Sequence, residues 1–156
     1  MANYLIKIIF LTVTLVDMIS PHAFSDVTFP KSEILIVSKS GEHQFMVDVA
    51  TTVAQRQLGL MYRKKMALNG GMMFDFGKEK LISMWMKNTL IPLDMLFVDK
   101  TGNILQIERA TTPFSLDTIS SRRPALSVIE LNAGVTEELR ITEGDQVIHD
   151  IFFQEK

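Results

Sequence analysis

What most constrains the fold of this chain is a recurring pattern of strand-length apolar runs broken by short glycine-bearing turns. Leu93 to Asp99 and Asn103 to Glu108 flank Lys100-Thr101-Gly102, with glycine where a left-handed backbone is wanted, and predict the clearest hairpin. Glu33 to Val37 and Gln44 to Val49 predict another around Lys39-Ser40-Gly41-Glu42. Thr52 followed by Gln55 has the form of a capping box, and Val53, Leu58 and Met61 fall on one side of the short helix it would start. Gly70 and Gly71 end the loop after that helix. Further strands are expected at Met72 to Phe76, Ile82 to Lys87, Ala125 to Leu131 and Gln146 to Phe153, with a helical turn or two at Val135 to Leu139. About eight strands against two short helices predict an α+β fold that is predominantly β, a compact antiparallel or mixed β-barrel-like sheet.

The first 25 residues read differently, as a secretory signal peptide. Lys7 supplies the positive end, and the apolar run Ile8 to Val16 is too short to span a bilayer of roughly 30 Å. Pro21 breaks any helix, and Ala23 and Ser25 are the small residues a signal peptidase needs for a cut before Asp26. Asp17 argues against a retained anchor. The expected organisation is therefore a leader over 1–25 and one domain over 26–156, exported to the periplasm or secreted, with no stable membrane anchor after cleavage. The leader takes Lys7 and Asp17 with it, so the formal charge stays at −2, and nucleic acid is not an expected partner. About 130 residues can bury a core without staples. The absence of cysteine excludes thiol catalysis, disulfide exchange and cysteine-ligated zinc.

One block carries more information than the rest. Met84-Trp85-Met86-Lys87-Asn88-Thr89-Leu90-Ile91-Pro92-Leu93-Asp94 is preceded by Gly59-Leu60-Met61-Tyr62-Arg63 and followed by Glu130-Leu131-Asn132-Ala133-Gly134 and Gly144-Asp145-Gln146-Val147. Together these stretches resemble the DUF192 family, also called UPF0127, across nearly all of the domain. The resemblance implies a compact β-rich domain, often exported in bacteria, and no established activity. Arg122, Arg123 and Arg140 depart from it, standing where relatives are expected to have small or glycine residues. Gly144-Asp145 also looks like the turn of cradle-loop barrels, although the dipeptide is common in turns.

Read physically, this block is a strand running into a tight polar corner. Alternation puts Ile82, Met84 and Met86 on one face and Ser83, Trp85 and Lys87 on the other, which allows the Lys87 ammonium to stack on the Trp85 ring. Asn88 and Thr89 bond to nearby backbone, Pro92 fixes the chain direction, and Asp94 enters the next strand on the face of Leu96 and Val98. A carboxylate there needs a partner. Lys87 is the nearest candidate, with Arg109 or backbone amides of the corner as substitutes. Three readings of the block stay open. It is a polar network that locks a corner, a pocket in which Trp85, Lys87, Asn88, Thr89 and Asp94 hold a small polar or anionic ligand, or a catalytic pair of Lys87 and Asp94. Asp75, Glu79, Asp117 and Glu130 are further acids able to approach Asp94.

Seven of the ten methionines lie between Met61 and Met95, and thioethers with His43 or His149 are a donor set for Cu(I); methionine as core filler explains the same clustering. The polar stretch Ala110 to Pro124 is a candidate lid or partner loop, which Phe114, Leu116 and Ile119 would fold back on the body. Three functions follow: a non-catalytic binding or interaction module of the cell envelope, an enzyme using Asp94 and Lys87, and a methionine-based Cu(I) handler. The first is preferred because it needs no constellation that the chain lacks. Its partner is a small polar ligand or an envelope protein, and no catalytic residue, resident metal or cofactor is assigned.

Overall fold

The computed structural model describes residues 27–152, so the expected leader and its cleavage site lie outside the described residues. Lys31–Ser38 (β1) and Gly41–Ala50 (β2) pair antiparallel with Ser38 opposite Gly41. The turn thus narrows to Lys39-Ser40, and Gly41, at φ +134°, already belongs to the second strand. The capping box forms as expected: Gln55 N donates to Thr52 Oγ1 at 3.2 Å and Thr52 N to Gln55 Oε1 at 2.9 Å, starting helix α1 at Val53–Leu58. The expected apolar stripe does not form, since α1 has no fully buried residue and Val53 is exposed. A six-residue helix held by its caps does not require one.

Gly70–Lys80 (β3) lies parallel to β2, a pairing that requires the crossover through α1. Gly70 and Gly71 therefore open the strand instead of ending the loop. A Cβ on Gly71 would stand 2.8 Å from the Glu130 carbonyl and 2.9 Å from Leu131 Cδ2, which explains the glycine. Leu93–Val98 (β5), Ile104–Glu108 (β6), Ala125–Asn132 (β8) and Gln146–Ile148 (β9) complete a seven-stranded mixed sheet of order β6-β5-β8-β3-β2-β1-β9. The fold is α+β and mostly β, the sheet curling into a half-barrel. Its two edges meet where Val147 N donates to Gly102 O at 2.8 Å and Ile104 N to Asp145 O at 2.9 Å. Gly102 sits at φ +82° in that seam, and a Cβ there would overlap the Val147 carbonyl.

Three expectations change in extent. The strand foreseen at Ile82 to Lys87 contracts to Ser83–Met84 (β4), paired only with Ile119–Ser120 (β7), yet the alternation holds: Ile82 and Met86 are buried while Ser83, Trp85 and Lys87 are exposed. The closing strand stops at Ile148, and a 3₁₀ turn at Asp150–Phe152 drops Phe152 into the core. Of the three apolar residues expected to fold the 110–124 stretch back, Ile119 packs on the body while Phe114 and Leu116 are exposed.

Both faces of the sheet are covered. The concave side carries Ile36, Val47, Met73, Leu96, Ile129 and Val147, closed by helix α2 at Val135–Glu138 and the 3₁₀ turn at Asp150–Phe152. The other side carries Met72, Phe74, Met95, Phe97 and Val128 beneath Leu60, Ile82, Met86 and Ile119. β5 is buried along its whole length because it lies between the two. No helix among the described residues is long and apolar enough to cross a membrane.

Candidate functional site

The expected polar corner divides between the two faces of the sheet. Asp94, fully buried on β5, points to the concave side and accepts four hydrogen bonds. They come from Ala110 N at 2.9 Å, Gly134 N at 3.1 Å, Thr136 N at 3.0 Å and Thr136 Oγ1 at 2.8 Å. Gly134 is the N-cap of α2 and has no side chain to cap with, so the carboxylate satisfies the helix's orphan donors from across the sheet. Arg109 is one step removed: its Nε donates to Thr136 Oγ1 at 3.1 Å and its Nη2 to Ile141 O at 3.0 Å. Backbone amides and a hydroxyl hold Asp94. Among the described residues it forms no ion pair with Lys87, so the expected Lys87–Asp94 pair is not formed.

On the opposite side an open groove of about 490 Å³ is lined by residues of α1, the 61–62 turn and the 83–88 segment. Trp85 is half-exposed, and Lys87 Nζ stands 5.1 Å from the centre of its ring, the stack that the alternation allows. Asn88 Nδ2 donates to Tyr62 Oη at 2.9 Å, and Tyr62 N donates to Asn88 O at 2.9 Å. Both residues hold left-handed backbones, Tyr62 at φ +65° and Asn88 at φ +55°. Asparagine tolerates this conformation, but at a tyrosine it costs roughly 1–2 kcal/mol, and the reciprocal bonds fix it at the rim of the groove. Arg56 reaches in from α1; Nη1 donates to the Thr51 and Asp75 carbonyls, and the guanidinium covers the Phe76 ring.

A smaller chamber of about 120 Å³ adjoins the groove, and Arg56, Gln57, Met61, Ser83 and Trp85 line both. Leu60, Phe74, Phe76 and Met84 give the chamber its apolar walls, Arg56, Gln57 and Ser83 its polar ones, and Glu130 of β8 is its one acid. Glu130 is 4% exposed, and no described residue hydrogen-bonds or ion-pairs with its carboxyl group. Burial alone pushes that carboxyl up to about 8, so it is protonated at neutral pH.

Of the residues singled out in the sequence, the structure brings Trp85, Lys87 and Asn88 together on the groove. Thr89 is buried beside them, its Oγ1 donating to Lys87 O at 3.3 Å and its carbonyl accepting from Phe114 N at 3.2 Å. Asp94 lies on the far face. Arg56, Tyr62 and the place of Glu130 escape the sequence reading, which has Glu130 only as one of four acids able to approach Asp94. A glutamate inside the apolar run Ala125 to Leu131, with no turn beside it, is the signal that could have marked it. Met72, Met86 and Met95 pack in the core on the groove side, Met86 Sδ accepting from Thr111 Oγ1 at 3.2 Å. His43 and His149 hydrogen-bond instead to serines of the β1–β2 hairpin.

The family model DUF192, described as "Uncharacterized ACR", matches residues 35–149. The chain belongs to the DUF192 family. A crystal structure of a "putative transcription regulator" from Sinorhizobium meliloti is similar at 42% identity and a TM-score of 0.77, covering 79% of this chain and 96% of that one. A protein of unknown function from Novosphingobium aromaticivorans is similar at 28% identity and a TM-score of 0.75, covering 83% and 98%. No curated protein matches. Every groove and chamber residue of this DUF192 domain falls inside the matched span. Two of the departing arginines find structural explanations: Arg140 holds φ +53°, where glycine would be unstrained, and Arg122 pairs with Glu143 at 3.4 Å.

Proposed function

We propose that this DUF192 domain is an exported, non-catalytic binding module whose groove takes a small organic anion with a flat apolar body. The observation that carries the reading is the lining of the groove: exposed Trp85 and Tyr62 beside Lys87 and Arg56, with no carboxylate in the open part. Aromatic faces suit a flat body, and two cations without a competing acid suit an anionic head. Export rests on the leader reading of residues 1–25. A nucleic-acid role, suggested by the description of the Sinorhizobium protein, gains no support from a formal charge of −2.

Trp85 is the chain's one tryptophan, so its emission reports occupancy of the groove directly. Benzoate, benzenesulfonate and phenyl phosphate share a ring and differ in the anion, while benzylamine carries the opposite charge. The anions should shift Trp85 emission, and Lys87→Ala should weaken them about fivefold, the effect of losing roughly 1 kcal/mol from one partly exposed charge contact. Preference for benzylamine, or silence with all three anions, would refute the reading. Export is checked by the mass of the protein recovered from the cell envelope, where an intact Met1 would refute cleavage.

A further inference from the structure

We propose that Glu130 works in this site as a protonated acid, donating a hydrogen bond to the carboxylate of a small organic monoacid whose head enters the inner chamber. The inference rests on the groove reading above and narrows the anion to one class.

The starting observation is geometric. Glu130 is almost wholly buried, has no hydrogen-bonding partner among the described residues, and lines a chamber about as large as a carboxyl group with a few carbons. An ionised carboxylate so placed would be an uncompensated buried charge, whereas the protonated form is neutral and presents one O–H. What it lacks is an acceptor. A ligand carboxylate has only acceptors, and an O–H to carboxylate hydrogen bond is among the short, strong kinds.

The charged surroundings agree. Arg56, from α1, is the one cation lining the chamber, and it spends only Nη1 on the protein, leaving Nε and Nη2 for a planar anion. From β3, Lys80 lies over the Phe76 ring at 4.7 Å and Asp75 accepts from Gly77 N at 2.7 Å. Lys87 stays in the open groove, and the 83–85 segment brings Ser83, Met84 and Trp85 without charge. One cation and one neutral donor match a monoanion. A dianionic phosphate would lack a second positive partner inside.

Benzoate titrations of the wild type, Glu130→Gln and Trp85→Ala from pH 6 to 9, read by NMR shifts of groove amides, test this. Benzoate is ionised throughout that range, so any change reports the protein. Wild-type affinity should be constant near pH 6–7 and approach a tenfold fall per pH unit above about 8, where burial places the carboxyl of the free protein. Glu130→Gln keeps an N–H donor; it should bind within threefold of the wild type at pH 6.5 and hold that affinity at pH 9. Trp85→Ala should weaken binding by one factor at every pH and keep the slope.

Groove-dependent binding with a flat pH profile would overturn the role of Glu130 and leave the groove reading standing. Affinity that rises with pH and favours benzylamine would make ionised Glu130 a cation receptor and overturn both. Absence of benzoate binding at every pH would also overturn both. A melting temperature of Glu130→Gln at or above the wild type shows that the variant is folded.

Discussion

Asp94 and Glu130 occupy neighbouring rungs of one sheet: Asp94 faces Leu131 across the β5–β8 pair, and Met95 faces Glu130. One residue of offset sends the two acids to opposite faces. Both are buried, yet their surroundings solve the electrostatic problem in opposite ways. Asp94 is surrounded by four donors and closes α2 onto the sheet. Glu130 has no donor and lines a chamber that shares Arg56, Ser83 and Trp85 with the groove, and it avoids the cost of a buried charge by keeping its proton. A buried acid whose two oxygens both accept hydrogen bonds is architecture; one without partners next to a cavity is a candidate for binding.

The comparison is broken most severely at Asp94. Asp94→Ala leaves the Ala110, Gly134 and Thr136 donors unpaired in the interior, and a loss of about 3–5 kcal/mol is expected. Asp94→Asn keeps the shape and one acceptor and should lose about half as much. Urea denaturation measures both, and a loss below about 1 kcal/mol for Asp94→Ala would show that Asp94 does not secure α2.

At Glu130 the sign reverses. Its carboxyl group titrates near 4.5 in the unfolded chain and at about 8 in the folded one. Between those values the native state holds a proton that the unfolded state has released. Stability contributed by this group is full below about pH 4.5, declines as pH rises, and is gone above about pH 8. The slope approaches 1.4 kcal/mol per pH unit, so Glu130→Gln, which cannot ionise, should exceed the wild type by roughly 3 kcal/mol at pH 7. Equal slopes in wild type and variant between pH 5 and 8 would show that Glu130 is solvated and ionised. A gain in stability on removing an acid is the mark of a residue kept for binding.

The same contrast explains what the sequence disclosed. Hairpins and the capping box are local, and glycine at Gly41 and Gly102 marks them because the backbone itself requires it. The face on which Trp85 and Lys87 lie was legible too, since alternation survives even where β4 pairs over only two residues. The partners of Asp94 were not, because the reading looked to Lys87 in the same block while the donors come from residues 110, 134 and 136. Glu130 was visible as an acid but not as a groove residue. Its face depends on the β5–β8 register, and its chamber is closed by a crossover helix about 75 residues earlier in the chain. The parallel β2–β3 pair that creates this crossover leaves no short-range signal.

Smaller effects sharpen each side. Arg140 follows α2 at φ +53°, so Arg140→Gly should relieve strain on the Asp94 side and add about 0.5–1 kcal/mol in the same urea assay. A loss of that size would mean that the side chain contributes more than the backbone conformation costs.

Lys87 gives the smallest change in stability and the cleanest separation of the two faces. It is exposed, its ammonium rests on a half-exposed ring, and Asp94 does not depend on it. Lys87→Ala should therefore shift unfolding by less than about 0.5 kcal/mol while weakening benzoate about fivefold. If it instead costs as much as Asp94→Asn, the Trp-Met-Lys-Asn-Thr segment is holding the fold together, and the division between a structural face and a binding face fails at the residue where the sequence first placed the site.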